Sequence, residues 1–257
     1  MSKNQNSDFD IYHTLAKSMV LGFARLYGTR LASNTFRVAV LKHLVAKKEG
    51  VTSEFAVDSG IDDISSQEYN AFCYVSNVSL LVYATTLLDT FISESTKFLI
   101  MRHPESLTNE ITVVFEDILA APSKAALLTD TISNKVRDIS FRSFLDRIKY
   151  LRKRFGLEIE LEDDTIEALT HFSGLRNVIV HDQSVFELEL DDQMSLVVKQ
   201  KTCPLHPTPV RDEDLLKAWT AYRDVIKQIY LAIVSQVLKC EARPEIKEVR
   251  TALEFKV

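Results

Sequence analysis

Arg176, Asn177 and His181 lie close together in the sequence, and their side chains can together handle a phosphate and a proton. An arginine is permanently charged and donates two parallel hydrogen bonds to a phosphate, whereas an imidazole titrates near neutral pH. The histidine can exchange a proton with a ribose 2′-hydroxyl or a leaving 5′-oxygen, and the asparagine can orient it or bond the phosphate. This set favours metal-independent cleavage of an RNA phosphodiester. On the residues alone, a helix-end histidine beside a surface arginine remains the alternative.

A helix predicted over residues 165–182 must position these side chains. At about 100° per residue, its apolar residues share one side that should face the core: Phe172, Leu175 and Ile179. A second arc collects small and polar residues: Thr170, Ser173, Gly174, Asn177 and His181. Small residues let another backbone or a ligand approach closely. If a second copy of this helix packs against this arc, a symmetric homodimer would bring two Arg/Asn/His sets to one dimer interface.

The preceding helix ends in the densest basic cluster of the chain. It consists of Lys149, Arg152, Lys153 and Arg154, and Arg147 precedes Lys149 by two residues. These cations are candidate contacts for RNA phosphates beside the site. The alternative is a solvated helix end whose positive charges complement the helix dipole.

Two acidic residues, Asp89 and Glu94, lie on an otherwise apolar helix upstream. Either carboxylate could pair with Arg176 or with His181, and a pair with the histidine would raise the pKa of the imidazole. An ordinary polar helix face is the alternative for each of them.

The hydrophobic periodicity predicts a mainly all-α protein. We expect two domains, an N-terminal helical extension over 1–66 and a helical bundle over 67–257. Alternating apolar residues predict a small β-hairpin at about 184–199. The predicted helices span 8–27 and 33–49, joined near Gly28, then 67–103, 108–121, 124–155, 165–182 and 211–241.

Composition narrows the possible functions. The net charge of -5 argues against a general nucleic-acid binder, so any RNA site must concentrate positive charge locally. Cys73, Cys203 and Cys240 have no zinc-like spacing, and we expect no metal and no cofactor. Polar residues 1–10 do not resemble a signal peptide, and charges interrupt the apolar stretch 78–101. A cytoplasmic protein without a membrane span is therefore expected.

The segment Arg176-Asn177-Val178-Ile179-Val180-His181 resembles the hallmark of the HEPN superfamily, an arginine, a polar residue and a histidine after four to six intervening residues. The context is similar too, since a basic-aromatic helix end precedes it at Arg147–Gly156 and an apolar helix with acidic residues lies upstream. The resemblance covers roughly residues 67–183. It implies a HEPN-like helical bundle, usually dimeric, with a composite site of Arg176, Asn177 and His181 across the dimer interface.

Many HEPN proteins are metal-independent ribonucleases in toxin–antitoxin, abortive-infection or other antiviral systems. The resemblance therefore implies a bacterial RNA-cleaving homodimer with an antitoxin or defence-system protein as a possible partner. One position departs from the family: some toxin members carry a tyrosine two residues after the histidine that a partner enzyme modifies, whereas this chain has Gln183. The same family contains inactive binding modules, so a catalytically silent helical adaptor or dimerisation module is the alternative function.

Overall fold

The computed structural model describes residues 3–48, 66–107, 112–181, 186–190, 196–200, 210–240 and 243–254. These residues are mostly helical, which confirms the mainly α-helical class. The helices are α1 (Lys3–Lys48), α2 (Ser66–Arg102), α3 (Phe115–Ala120), α4 (Lys124–Ser140), α5 (Phe144–Phe155), α6 (Asp163–His181), α7 (Asp212–Ala232) and α8 (Pro244–Glu254). A 3-10 turn at Pro104–Leu107 follows α2, and a π-helical segment at Ile233–Val237 follows α7.

Helices α2 and α7 pack against each other and contribute many of the buried residues of the core. Apolar residues at three- and four-residue spacing give each helix a buried stripe, which includes Leu81 and Leu88 in α2 and Trp219 and Ile226 in α7. Over Val75–Arg102, α2 is also long and apolar enough to cross a membrane by length and composition. In this fold the same residues supply the middle of the helical bundle.

Helix α1 is one continuous helix, so the prediction of two helices joined near Gly28 was wrong. A mid-helix glycine costs only about 1 kcal/mol relative to alanine, which burial of Leu26 and Val40 on either side can offset. Residues of α1 also belong to the same hydrophobic cluster as α2 and α7. The guanidinium of Arg37, which is buried, donates to Asp212 Oδ1 over 2.8 Å. The N-terminal helix thus packs into the bundle core.

The predicted helix over 124–155 is two helices, α4 and α5, separated by the turn Phe141–Ser143. Ser143 ends the continuity because its hydroxyl accepts a hydrogen bond from the backbone N–H of Asp146 and so caps α5. Gly156 has a left-handed backbone with φ +67° and is the C-cap of α5. The helix predicted over 108–121 is shorter, because residues 112–114 are not helical.

Two short strands, β1 (Phe186–Leu190) and β2 (Leu196–Gln200), pair antiparallel between α6 and α7. Phe186 lies opposite Gln200, and Leu190 lies opposite Leu196. Their side chains and the residues around them, including Gln183, lie outside the described part of the chain. The C-terminal helix predicted over 211–241 ends earlier, and α8, which was not predicted, buries Ile246 and Val249.

Candidate active site

An open cleft of about 650 Å³ lies between α2, α5, α6 and the turn that joins α4 to α5. Among the described residues, its lining includes three arginines, Arg142, Arg147 and Arg176, and one acidic residue, Asp89. Asn177 lies in the same wall as Arg176. The cleft therefore concentrates positive charge locally in a chain whose net charge is negative.

Arg176 and Asn177 reach the cleft because α6 buries its opposite side. Phe172, Leu175 and Ile179 are buried in the core, as their spacing predicted. Arg176 is half-buried, and its Nη1 donates to Asn177 Oδ1 over 3.2 Å. Among the described residues, no carboxylate forms an ion pair with Arg176. Its remaining N–H groups are therefore free to bind an anion.

Arg147 faces the same cleft but is fully buried. It forms an ion pair with the carboxylate of Asp89, and its Nη2 donates to the carbonyl of Asp89 over 3.0 Å and to Ser93 Oγ over 2.8 Å. These contacts tie α5 to α2. The guanidinium of Arg147 also lies over the ring of Phe144, with 5.5 Å between Cζ and the ring centroid. Arg147 thus builds the wall of the cleft.

His181 is the last residue of α6 and follows Asn177 by four residues, or roughly 6 Å along the helix axis. This backbone position keeps it near Arg176 and Asn177. The placement of its side chain lies outside the described part of the molecule, so the role of the imidazole stays a prediction.

The two predicted supporting acids have different surroundings. Asp89 lines the cleft, and its described partner is Arg147; the possible pair with Arg176 is not among the described contacts. Glu94 is exposed and is not part of the cleft lining. The reason is helical geometry: five residues turn the helix by about 140°, so Asp89 and Glu94 project from different faces of α2.

The predicted basic cluster is not part of this cleft. Lys149, Arg152 and Lys153 line a separate, more open groove of about 520 Å³, together with Glu158 and Glu160. They lie roughly opposite Arg147 on α5, as 100° per residue requires. Arg154 lines neither cavity. The cations that accompany Arg176 in the cleft are instead Arg142 and Arg147.

The turn Phe141–Ser143 is the part of the site that the sequence reading missed. Ser143 donates a hydrogen bond to Asp146 Oδ2 over 2.7 Å. This bond, helped by the charges of Lys149 and Arg142, lowers the pKa of Asp146 below its usual value. The serine followed by an acid three residues later is a capping signature, and it would have located both the turn and the cleft residues beside it.

No protein-family model, curated protein or solved structure matches the chain. Among the described residues, no group of three His, Cys, Asp or Glu side chains lies close enough together to hold a metal ion.

Proposed function

We propose that the protein is a metal-independent endoribonuclease of the HEPN type. The observation that supports this most is the position of Arg176 and Asn177, which are hydrogen-bonded to each other in an open cleft, with no carboxylate of the described residues paired to the arginine. A guanidinium with free donors can hold a phosphate and stabilise the extra charge of a pentacoordinate phosphorane. His181, one turn further along α6, supplies the proton-transfer group.

The proposed reaction is an internal transesterification. A histidine removes the proton of a ribose 2′-hydroxyl, the 2′-oxygen attacks the adjacent phosphorus, and the bond from phosphorus to the 5′-oxygen breaks. A second histidine donates a proton to the leaving 5′-oxygen. The products are a 2′,3′-cyclic phosphate and a 5′-hydroxyl. Because the histidines move the protons and Arg176 balances the charge, the scheme needs no metal or cofactor.

The proposal takes the second histidine from a second copy of the chain, and so includes a homodimer at the outward face of α6. This face carries exposed Gly174 and Val178, the latter with 49% of its surface accessible. A Cβ built at Gly174 would meet no described atom within 4 Å, so a second helix has room to approach. Covering Val178 would also remove apolar surface from water.

The biological setting belongs to the same proposal. A cytoplasmic protein that cleaves RNA can damage its own cell, so its activity must be controlled. A bacterial toxin–antitoxin or antiviral system provides such control through a neutralising or activating protein partner. Because the net charge is negative, RNA binding depends on the positive charge that the cleft concentrates locally.

The test is cleavage of a labelled single-stranded RNA in EDTA. The wild-type chain, Arg176→Ala, Asn177→Ala and His181→Ala are compared, with Arg152→Ala as a control that removes an equal charge away from the cleft. We expect cleavage by the wild type and by Arg152→Ala, with cyclic-phosphate ends, and strong loss in the other three. Equal cleavage by all five proteins would refute the assignment.

A catalytically silent adaptor or dimerisation module is the second candidate. Exposed Val178 and Val180 on α6, each more than 40% accessible, favour it because such apolar surface suits a packing interface. On this alternative, Arg176→Ala and Asn177→Ala change dimerisation or stability, and no purified form cleaves RNA.

A further inference from the structure

Phe141 is the most exposed of the large apolar side chains at the cleft, with 82% of its surface accessible, and it lines the cleft beside Arg142. Its backbone is nevertheless fixed. The N–H groups of Phe141 and Arg142 both donate to the carbonyl of Ile139, and the cap at Ser143 fixes the other end of the turn. Buried Ile139 and Phe144 anchor the two helices on either side. The ring therefore projects into solvent from a hydrogen-bonded turn, so the backbone loses little further conformational entropy when a ligand binds.

Two cations that carry no ion pair accompany this ring in the cleft. Among described residues, neither Arg142 nor Arg176 forms a salt bridge, and the single carboxylate of the cleft, that of Asp89, is already paired with Arg147. The guanidinium of Arg142 lies over the ring of Tyr150, with 5.9 Å between Cζ and the ring centroid, and keeps its positive charge. An exposed aromatic face next to unpaired guanidinium groups suits a ligand with a flat ring and a negative charge.

The size of the cleft agrees with such a ligand. Its volume of about 650 Å³ is in the range of cavities that hold small organic ligands, roughly 300–1,000 Å³. One nucleotide is a flat base joined through a sugar to a phosphate. A base can stack on an aromatic side chain only when its face is not already covered by a neighbouring base, as it is inside a duplex.

The chain contains a natural comparison in Phe115. This residue, in α3, is 69% exposed, but it is followed by Glu116 and Asp117 and does not line the cleft. Negative charge beside the ring disfavours a phosphate. Exposure of a phenylalanine alone therefore does not distinguish Phe141; its position beside Arg142 and Arg176 does.

We infer that Phe141 is a stacking platform for one unpaired base of single-stranded RNA, next to a backbone phosphate held by Arg176 and Arg142. The inference rests on the proposed function, since it names how that site would recognise its substrate. It assigns to the α4–α5 turn the selection of single-stranded over double-stranded RNA.

The test measures binding separately from cleavage. The full chain carrying His181→Ala is titrated in EDTA against a fluorescein-labelled ten-nucleotide oligouridine, and anisotropy is recorded. Base–aromatic stacking contributes about 1–3 kcal/mol per base, and 1.4 kcal/mol is a tenfold change, so Phe141→Ala should weaken binding about tenfold. Phe141→Trp should bind within about twofold of the parent, Phe141→Leu should resemble Phe141→Ala, and Phe115→Ala should have no effect. Thermal unfolding confirms that each variant is folded.

Three results would overturn the inference: unchanged binding by Phe141→Ala, full binding by Phe141→Leu, or no binding by the parent. Cleavage by the chain with His181 intact is measured in parallel, so that the two proposals fail separately. Binding that depends on Phe141 without any cleavage would refute the nuclease and support the stacking platform. Cleavage together with binding that does not depend on Phe141 would support the nuclease and refute the stacking platform.

Discussion

Arg147 and Arg176 face the same cleft from neighbouring helices, yet their surroundings differ. Arg147 is fully buried, and both of its Nη nitrogens donate to Asp89 or Ser93. Arg176 is half-buried, and its one described hydrogen bond is to the neutral amide of Asn177. A guanidinium that is already paired inside the protein holds helices together, whereas one with free donors at a cleft can bind a ligand. The comparison indicates a structural role for Arg147 and supports the proposed catalytic role of Arg176.

The largest expected effect is on stability, from Asp89→Ala. This change leaves the buried guanidinium of Arg147 without its counter-ion, and removing one partner of a buried pair costs about 3–5 kcal/mol. Urea unfolding followed by circular dichroism measures the loss. A change below about 1 kcal/mol would show that the pair does not hold α2 to α5.

Arg147→Met should destabilise less, by about 1–2 kcal/mol. The methionine keeps much of the apolar packing over Phe144, and the carboxylate left behind, which is 48% exposed, can be hydrated by water. Asp89→Ala should then lower the free energy of unfolding less in the Arg147→Met background than in the wild type, because no buried charge remains. Additive free energies of unfolding in this double-mutant cycle would contradict the described pair.

Gly174→Ala extends the comparison to the outward face of α6. Because the added Cβ meets no described atom, the better helix propensity of alanine should stabilise the monomer by about 1 kcal/mol. Gly174→Arg should instead prevent two copies of α6 from approaching. Urea unfolding measures the stability of Gly174→Ala, and sedimentation velocity measures whether Gly174→Arg is a monomer. A dimer that persists in Gly174→Arg would place the interface elsewhere.

The smallest effect is expected from the basic groove. Replacing Lys149, Arg152 and Lys153 together by glutamine should change stability by less than about 0.5 kcal/mol, because these exposed cations make at most weak surface ion pairs. RNA cleavage should stay within about threefold of the wild-type rate. A loss as large as that of Arg176→Ala would move the RNA site from the cleft to the groove.

Local sequence signals predicted much of the fold around the site. The apolar spacing of Phe172, Leu175 and Ile179 predicted the buried face of α6. The proximity of Arg176 and Asn177 followed from adjacency on one helix. These features depend only on residues a few positions apart.

Other features depend on tertiary packing and could not be predicted in the same way. The pair between Asp89 and Arg147 joins residues 58 positions apart, and it forms only because α5 packs on α2. Continuity of α1 through Gly28 likewise depends on its burial against the core. Helical geometry alone, in contrast, predicts that Lys149, Arg152 and Lys153 project from the opposite side of α5 to Arg147.

The most direct test of the account is the ratio of RNA cleavage rates of Arg176→Ala and Arg152→Ala, measured on one labelled single-stranded RNA in EDTA. Both variants lose one arginine, but only Arg176 lines the cleft. Losing a preorganised donor to the transition state costs about 100-fold or more in rate, so Arg176→Ala should be slower than Arg152→Ala by at least that factor. Similar rates for the two variants would contradict the assignment of chemistry to Arg176.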